Sequence, residues 1–508
     1  MAPIPAPSEA SAHGWGARVA ALLLVWGGAW TLFLLWAVRE VPVDSAEQLA
    51  WVRSLQWGYH KHPPLPTWLI APAVAVFGLQ AWIPAVWGAL VKLAALLLCW
   101  DLMRRLFDGN RATLTLVCIT AVAYYSSRLH TYSHNEVMLL CSSGAAWSLW
   151  QLMQTAQRRY GLMLGLSLGL GLLAKYQAVT TVAAALAVLG LTGAWTQPRL
   201  RPALLLALVV AVGVVLPHGL WLAGAAHTPL DYAAHSTGAG EAREVGRWGV
   251  WLVWNGDLVG RSLGALLLLA WVAWWARGQG PAAVASTSSA FTALASGGLA
   301  EHRMHARVLL WCWALVPLAC VWGLALLGGG MVRPHWATPM AMWIMAALCA
   351  GLPAAAASAL SRPAFWALAL AVQGVLAGQL LWSEHRAAAG EARWGQPRVQ
   401  RWAPALAEAA RAELGGDIRV VVAPETVAST VALALAERPY PVLDGRLEIS
   451  PWVPEGLMER CGVLFIVYEP PGPGRHPVVG GPPGMVWRVV PPREGRACTG
   501  DQKQPSRY

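Results

Sequence analysis

The residues best suited to chemistry stand just before a Pro-Pro pair at positions 63 and 64. Asp44 and Glu47 are three residues apart, a spacing that puts both carboxylates on one face of a helix. A carboxylate placed in this way can accept the proton of an incoming hydroxyl. A helix at a membrane surface with solvated charges has the same spacing, so the neighbouring groups must decide between the two. Those neighbours are Tyr59, His60, Lys61 and His62.

Ionisable residues also stand at the ends of three apolar runs. Ionisable side chains at membrane depth are costly and usually face a cavity or a partner. Lys175 could instead snorkel to the interface, and His134 alone would more often be a satisfied polar residue. The three groups are Arg128 with His134, Asn135 and Glu136, then Lys175 with Tyr176, and then Arg333 with His335 and Trp336.

Basic side chains around one or two carboxylates suit a reaction at a lipid-linked phosphate. Arg and Lys would compensate the phosphate charge. Phosphate on sugar C1 is then a good leaving group, so no cofactor is needed, although a divalent metal is compatible with these residues. The groups predict glycosyl transfer from a polyprenyl-phosphate sugar. We assign Asp44 as general base, with Glu47 as the second candidate; Lys175, Arg128 and Arg333 to the donor phosphate; and Tyr59, His60, His62, His134, Asn135, Glu136, Tyr176, His335, Arg243 and Arg247 to substrate binding.

The composition indicates what must position these groups. Of 508 residues, 56% are hydrophobic and 12% are charged, against roughly 25% charged in soluble domains. Long apolar runs leave a polytopic membrane protein as the only class. The net charge of +11 is scattered over short loops, which favours anionic lipid over nucleic acid as a partner.

Eleven transmembrane helices are predicted from the apolar runs. Arg residues fall in alternate connections, which puts the amino terminus in the cytoplasm and the carboxyl terminus outside. Three longer connections, 39–82, 224–261 and 328–336, then lie on the outer side, whereas 277–307 is predicted to be a flexible inner linker. The predicted spans are 19–38, 83–103, 112–128, 136–154, 160–174, 176–195, 203–223, 262–276, 308–327, 336–352 and 364–382.

Residues 384–508 have the composition of a small soluble α/β domain, which leaves 1–383 as the membrane domain. We predict helices at 397–414 and 425–436 and strands at 418–424, 462–468 and 485–490. Cys461 and Cys498 share this outer domain, where an oxidising compartment would permit a disulfide. The sequence has no CxxC or HExxH motif, and the other six cysteines fit apolar filler positions.

The first outer segment resembles the first-loop signature of bacterial polytopic glycosyltransferases. These enzymes are related to the protein O-mannosyltransferases and to the aminoarabinose transferase of lipid A, and belong to glycosyltransferase family 39. The resemblance continues in HNEVMLL (134–140), GLSLGLGLLAKY (165–176), HWATPM (335–340) and SPWV (450–453). The first-loop positions in register are Asp44, Ala46, Gly58, Tyr59, His62, Pro63, Pro64 and Leu65.

The resemblance implies the GT-C fold, a polyprenyl-phosphate sugar donor such as an undecaprenyl phosphate sugar, and inverting transfer outside the bacterial inner membrane. The acceptor would be a periplasmic hydroxyl of a lipid, glycan or protein, and the sugar a hexose or pentose. Ser45 stands where the family commonly has Glu, and Asn135 with Glu136 where many members have a second Asp. The second acidic partner therefore stays open.

Two other classes remain compatible with charges inside a membrane. A transporter or flippase of lipid-linked sugars predicts inverted repeats and helices broken near the midplane, and no internal repeat is visible in the sequence. An inactive relative that only binds lipid-linked sugar is the other alternative. The clustering of charge at one face favours the enzyme.

Overall fold

The computed structural model describes residues 9–225, 229, 230, 232, 246–279, 296–388, 398–470, 472–493 and 498. These residues form two compact units. The first, which we call the helical unit, comprises the described residues within Met1–Leu34, Lys61–Leu65 and Val86–Leu380. The second, the sheet unit, comprises those within Leu35–His60, Pro66–Ala85 and Leu381–Tyr508.

Most of the described chain is helical, as the long apolar runs predict. The α-helices are α1 (Glu9–Ala37), α2 (Val43–Trp51), α3 (Leu65–Phe77), α4 (Trp82–Leu106), α5 (Gly109–Thr120), α6 (His134–Thr155), α7 (Arg158–Ala174), α8 (Val179–Leu191), α9 (Arg201–Gly224), α10 (Arg247–Arg277), α11 (Ser296–Leu326), α12 (Thr338–Gly351), α13 (Pro363–Ala388), α14 (Val399–Leu414), α15 (Glu425–Ala434) and α16 (Leu457–Cys461). Short 3-10 helices occur at Ala123–Tyr125, Tyr176–Ala178, Ala194–Thr196, Pro334–Ala337, Ala354–Ser361 and Leu447–Ile449.

Six helices within the described ranges are long and apolar enough to cross a membrane alone: α1, α4, α9, α10, α11 and α13. One further pair, Pro334–Gly351 with Ala355–Ser361, passes the same test together across a bend of 107°. The chain is a multi-pass membrane protein, as predicted. The count of eleven spans stays a prediction, because several predicted spans correspond to shorter helices.

The predicted span at 112–128 is one of these. It comprises α5 and the 3-10 helix Ala123–Tyr125. The Tyr125 hydroxyl donates to the carbonyl of Thr338, at 2.5 Å, and accepts from the amide of Met342, at 2.8 Å. A side chain from the interrupted segment therefore satisfies two backbone groups in the first turn of α12, as an apolar surrounding requires.

Two predicted connections are partly helical, and the prediction there was wrong. Residues 247–261 of the second outer segment form the start of α10, and residues 296–307 of the predicted linker form the start of α11. Asp257 and Arg261 make the first stretch polar, which is typical of a loop. In the structure Arg261 Nε lies 2.5 Å from Asp257 Oδ2 on one face of the helix. The rest of the linker, 280–295, lies outside the described residues.

Glycines let α7 and α9 pack backbone to backbone. A Cβ added at Gly161 would lie 2.2 Å from the carbonyl oxygen of Ala203, and one at Gly165 would lie 2.4 Å from that of Ala207. Small residues at intervals of four are the usual means of close helix packing in membranes. The glycine-rich run that precedes Lys175 therefore fixes the helix that ends at this lysine.

A five-stranded sheet organises the C-terminal part of the chain. Its strands are β1 (Val420–Ala423), β2 (Tyr440–Leu443), β3 (Val463–Tyr468), β4 (His476–Pro477) and β5 (Met485–Val490). The order is β2-β1-β3-β5-β4; β1 runs parallel to β2 and β3, and β5 runs antiparallel to β3 and β4. The predicted α/β layer is confirmed. β2 was missed because it has four residues including a proline.

The amphipathic helix of the first outer segment belongs to the core of the sheet unit. Trp51 at the end of α2 is fully buried, stacks on Tyr59 with ring centroids 4.7 Å apart, and joins the same apolar cluster as Trp402 and Val431. We expected α2 in the membrane domain with its apolar face on lipid or protein. Of these two surroundings it has protein, because α15 covers this face, and α2 belongs to the sheet unit. The apolar helix α3 follows it inside the predicted 39–82 loop.

Cys461 and Cys498 form a disulfide, which the sequence had left open. Cys461 is the last residue of α16 and packs in one apolar cluster with buried residues of β1 and β3. The cross-link ties residue 498 to the end of α16. Of the remaining cysteines, Cys320 is exposed and the others are buried.

Candidate active site

A buried lysine on α4 holds the backbone segment that precedes α6. Lys92 has 0% exposure, and its Nζ donates to the carbonyl oxygens of Arg128 and Thr131, both at 2.8 Å, and of Leu129 at 3.3 Å. One turn earlier, a Cβ at Gly88 would lie 2.2 Å from the Thr131 carbonyl oxygen, so only glycine allows this approach. Sequence reasoning gave Lys92 no role, although a lysine within an apolar helix is itself a signal.

The same lysine pairs with Glu136 at 3.5 Å. The Glu136 carboxylate also accepts from the hydroxyls of Ser133, at 2.6 Å, and Thr131, at 3.1 Å. The pair therefore ties the 128–133 turn to the start of α6. Glu136 has partners that account for its burial, and its predicted part in substrate binding stays a prediction.

The N-terminus of α6 meets a second lysine. Ser133 caps α6 by accepting from the amide of Asn135 at 3.2 Å. Lys175, which ends α7, is 8% exposed, and its Nζ donates to Asn135 Oδ1 at 2.7 Å. This lysine is turned into the helical unit rather than snorkelling. A helix N-terminus and an ammonium group side by side both favour an anion.

The third outer segment joins this group through Trp336. Lys175 Nζ lies 4.9 Å from the centroid of the Trp336 ring, and the Gln177 side chain donates to the Trp336 carbonyl at 3.3 Å. Arg333 is half-buried, and its carbonyl accepts from the indole of Trp254 at 3.1 Å. The structure thus brings the AKYQ and RPHW segments together, as the sequence hypothesis requires. His335 in the same segment is exposed.

Two residues of the first outer segment lie in the helical unit. The rings of His62 and His134 have centroids 3.9 Å apart. Lys61 is buried and its Nζ lies 5.3 Å from the ring of Tyr232. The stretch Lys61–Leu65 therefore brings one predicted site residue, His62, to the first turn of α6.

His218 lies next to Tyr176, and the sequence did not predict this residue as part of the site. It is buried within α9, and its Nε2 lies 2.8 Å from the hydroxyl of Tyr176. Its ring also stacks on Trp221, with centroids 5.6 Å apart. The Tyr176 side chain is thus held in a fixed orientation beside Lys175. A single histidine in an apolar helix was the available signal, and it is too common to be decisive.

The aromatic and charged residues of α10 support the same region. The Tyr124 hydroxyl lies 3.1 Å from Asp257 Oδ2 and 2.9 Å from the Pro334 carbonyl oxygen. The Arg261 guanidinium lies over the Tyr124 ring at 5.3 Å. This cluster orders the backbone that carries Arg333, and its residues were assigned no role from the sequence.

The other predicted residues of the first outer segment lie in the sheet unit. Asp44 is half-buried in the first turn of α2, whereas Glu47 is 2% exposed. The Tyr59 hydroxyl donates to the carbonyls of Ser54, at 3.2 Å, and Trp51, at 3.3 Å. Burial raises the pKa of the Tyr59 phenol, so this side chain stays neutral and its position has a structural cause.

His60 is the last residue of its stretch in the sheet unit and contacts the C-terminal part of that unit. Its Nε2 lies 2.5 Å from Oε1 of Glu425, the first residue of α15. The chain then passes at Lys61 into the helical unit. His60 is thus a contact residue of the sheet unit, and its predicted place in the substrate pocket stays a prediction.

The remaining predicted arginines differ in how well they are held. Arg128 is exposed. Arg247, the first residue of α10, is exposed beside the third outer segment, since a Cβ at Gly329 would lie 3.4 Å from its Nε. Arg243 lies outside the described residues. Within the described ranges, no three His, Cys, Asp or Glu side chains are grouped to hold a metal ion.

The fold of this chain is similar to that of solved structures. ArnT from Cupriavidus metallidurans, solved with bound undecaprenyl phosphate, aligns with a TM-score of 0.62 over 94% of this chain and 98% of that chain, at 14% sequence identity. Its apo structure aligns with a TM-score of 0.61. The chain has the GT-C fold of membrane glycosyltransferases. The fold expected from the first-loop resemblance is therefore confirmed.

Sequence comparison covers the part of the chain that holds the lysine site. Residues 61–221 match the dolichyl-phosphate-mannose-protein mannosyltransferase family. The lipopolysaccharide core galacturonosyltransferase RgtA of Rhizobium johnstonii is 28% identical over 221 residues, which are 40% of this chain and 42% of RgtA. The lipid A galacturonosyltransferase RgtD of the same organism is 28% identical over 214 residues, 39% of this chain and 42% of RgtD.

The matched stretch of these curated relatives is thus about two fifths of their length. Both relatives are glycosyltransferases, and so is the matched family. The glycosyltransferase resemblance drawn from the sequence is confirmed at this level. The transporter alternative is not favoured.

Proposed function

We propose that this chain is an inverting glycosyltransferase that moves a sugar from a polyprenyl-phosphate donor to an acceptor hydroxyl. One observation carries the proposal: the Lys175 ammonium lies 2.7 Å from Asn135, in the first turn of α6. A lysine and a helix N-terminus together suit a phosphate group. Arg128 and Arg333 would add charge as the phosphate leaves.

The reaction needs one displacement. The acceptor oxygen attacks C1 of the sugar, the bond from C1 to the phosphate oxygen breaks, and polyprenyl phosphate leaves with the electron pair. A carboxylate takes the hydroxyl proton, and we assign this to Asp44, with Glu47 as the other candidate. Positive groups aimed at the developing phosphate dianion lower the barrier. A single displacement inverts the configuration at C1.

The printed names of the relatives suggest which substrates to test first. ArnT was solved with undecaprenyl phosphate, which supports a polyprenyl phosphate as the lipid of this chain. RgtA is named for the lipopolysaccharide core and RgtD for lipid A. We therefore propose a saccharide of the bacterial envelope as acceptor and a hexose, pentose or uronic acid as the transferred sugar.

We also propose the bacterial inner membrane as the location, with the amino terminus in the cytoplasm and the acceptor on the periplasmic side. The arginine-rich connections support this orientation. The site residues offer cations for the phosphate, so we expect transfer without added metal. Chelation by EDTA should leave the rate unchanged.

Turnover of defined donors tests the proposal. The purified chain is incubated with undecaprenyl phosphate carrying galacturonic acid, aminoarabinose or mannose, together with lipopolysaccharide or lipid A. We expect release of undecaprenyl phosphate and a matching mass increase on the acceptor with at least one donor. A protein that binds these donors and releases none would instead be an inactive sugar-lipid binder. Movement of intact donor across a vesicle membrane would indicate a flippase.

A further inference from the structure

A cleft of about 330 Å³ opens on the sheet unit, at the carboxyl ends of its parallel strands. Its floor is formed by Val422 on β1 and by Phe465 and Val467 on β3. The neighbouring part of this sheet face is covered by α16, which has five residues. A short helix leaves the carboxyl ends of the strands open.

The position of the cleft follows from the strand order. β1 pairs with β2 on one side and with β3 on the other. The connections from β1 and from β2 therefore leave the sheet in opposite directions at this point. In open α/β sheets, such a switch point at the carboxyl ends of the strands is where ligands bind.

The rim carries groups that suit hydroxyl groups. Asp444 is exposed, and Glu469 is partly exposed and pairs with Arg475 at 3.0 Å. The Arg488 guanidinium lies 4.2 Å from the Phe465 ring centroid. Carboxylates accept from hydroxyls and a guanidinium donates to them. An apolar floor with a few convergent polar groups is typical of small-molecule sites.

Tyr468 adds an aromatic surface, because it lines the cleft and is 56% exposed. An aromatic ring offers an apolar face to the C–H side of a sugar while its hydroxyl stays in water. The rim is less suited to a phosphate or an acidic ligand, which would meet Asp444 and Glu469. The turn from β1 into α15 is Ala423, Pro424 and Glu425, so a carboxylate stands where a nucleotide phosphate would bind.

The cleft is linked to the first outer segment by two contacts. Asp444 Oδ1 accepts from the amide of Glu425 at 3.0 Å. The Glu425 carboxylate lies 2.5 Å from His60 Nε2. His60 directly precedes Lys61 in sequence, where the chain enters the helical unit. A ligand at Asp444 would thus act on the turn that holds this segment.

We propose that this cleft binds a non-acidic sugar unit of the acceptor, so that the sheet unit selects the glycan to be modified. That the bound sugar belongs to an acceptor rests on the proposed function. Sugar binding by the cleft can be tested without turnover. The residues that decide it are Asp444, Tyr468, Glu469 and Arg488.

Direct binding is the first test. The full-length chain in detergent micelles is examined by saturation-transfer NMR with the methyl α-glycosides of glucose, galactose and mannose. Arg488→Ala and Glu469→Gln should each weaken binding of the preferred glycoside roughly tenfold, because each removes a hydrogen bond to a charged group. Arg419→Ala is the matched control, since Arg419 is a partly exposed arginine that pairs with Asp417 at the amino end of β1, away from the cleft lining. Unchanged thermal unfolding shows that the variants are folded.

Two outcomes would overturn the inference. A glycoside signal that survives both cleft variants but disappears in Lys175→Met would put the sugar in the donor site. Displacement of the glycoside by sodium phosphate would show an anion site instead. In an active protein, Arg488→Ala should raise the acceptor KM and leave kcat and the donor KM unchanged. If no transfer occurs at all but the cleft variants lose glycoside binding, the cleft stands and the proposed function fails.

Discussion

Lys175 Nζ donates to Asn135 Oδ1 at 2.7 Å, which joins the end of α7 to the first turn of α6. The two residues are 40 positions apart. α7 is fixed by its glycines against α9, and α6 is fixed by the Lys92–Glu136 pair. The relationship therefore places a cation at a helix N-terminus on two rigid elements, which is what a preorganised phosphate site needs.

The first prediction concerns this ammonium. Lys175→Met keeps most of the side-chain volume and removes the charge, so the protein should fold but lose turnover on the order of 10²-fold. Steady-state rates of polyprenyl phosphate release measure the effect. Arg199→Met is a suitable control, because it also removes a basic side chain. Arg199 lies in a different connection from Lys175 and donates to Gln197 and to the carbonyl of Met153. Near-normal kinetics in Lys175→Met would reduce this lysine to a packing role.

The second prediction concerns the other buried lysine. Lys92→Met leaves the buried Glu136 without its countercharge and three backbone carbonyls without their donor, so we expect a loss of roughly 3–5 kcal/mol in stability. Thermal unfolding in detergent measures it. The double change Lys92→Met with Glu136→Gln should recover part of the loss, since it removes the buried unpaired charge. An unchanged unfolding temperature in Lys92→Met would show that the pair contributes nothing to the 128–136 turn.

Much of the fold could be predicted from local patterns. Apolar runs located the long helices, and β-branched runs located β3 and β5. The place of α2 could not be predicted, because its apolar face fits lipid or protein equally well. Only the fold brings Trp51 to Val431. α10 was read too short because the i,i+4 pair of Asp257 and Arg261 resembles loop charge in a hydropathy profile.

The candidate site was predictable by residue type and not by partner. Lys175 and Asn135 were both selected from the sequence, and the structure shows that they meet. Lys92 was passed over because its partners, the carbonyl groups at 128–131 and the Glu136 carboxylate, lie more than 35 positions away in the sequence. His218 was missed because its partner, the Tyr176 hydroxyl, is 42 residues away.

The third prediction is the orientation in the membrane. Alkaline phosphatase fused after Arg386 should be active, because the arginine bias places the chain beyond α13 in the periplasm. A fusion after Arg277, at the end of α10, should be inactive. The reverse pattern would invert the topology and remove the donor site from the proposed compartment.

The last prediction concerns the general base. Asp44 is half-buried in the first turn of α2, and its carboxylate makes no hydrogen bond or ion pair with the other described residues. Glu47 on the same helix is 2% exposed. A base must be able to reach a hydroxyl, so Asp44 is the better candidate on accessibility as well as on its match to the first-loop signature.

Asp44→Asn preserves the shape of the side chain and removes the base. Turnover should therefore fall by roughly 10²-fold or more, while donor binding changes little. Glu47→Gln should lower turnover less than Asp44→Asn does. Because the Glu47 side chain is buried, its main effect should be a lower unfolding temperature. Single-turnover rates with saturating donor separate the two. If Glu47→Gln abolishes transfer in a folded protein and Asp44→Asn does not, Glu47 is the base; if neither change matters, the proton leaves by a group outside α2.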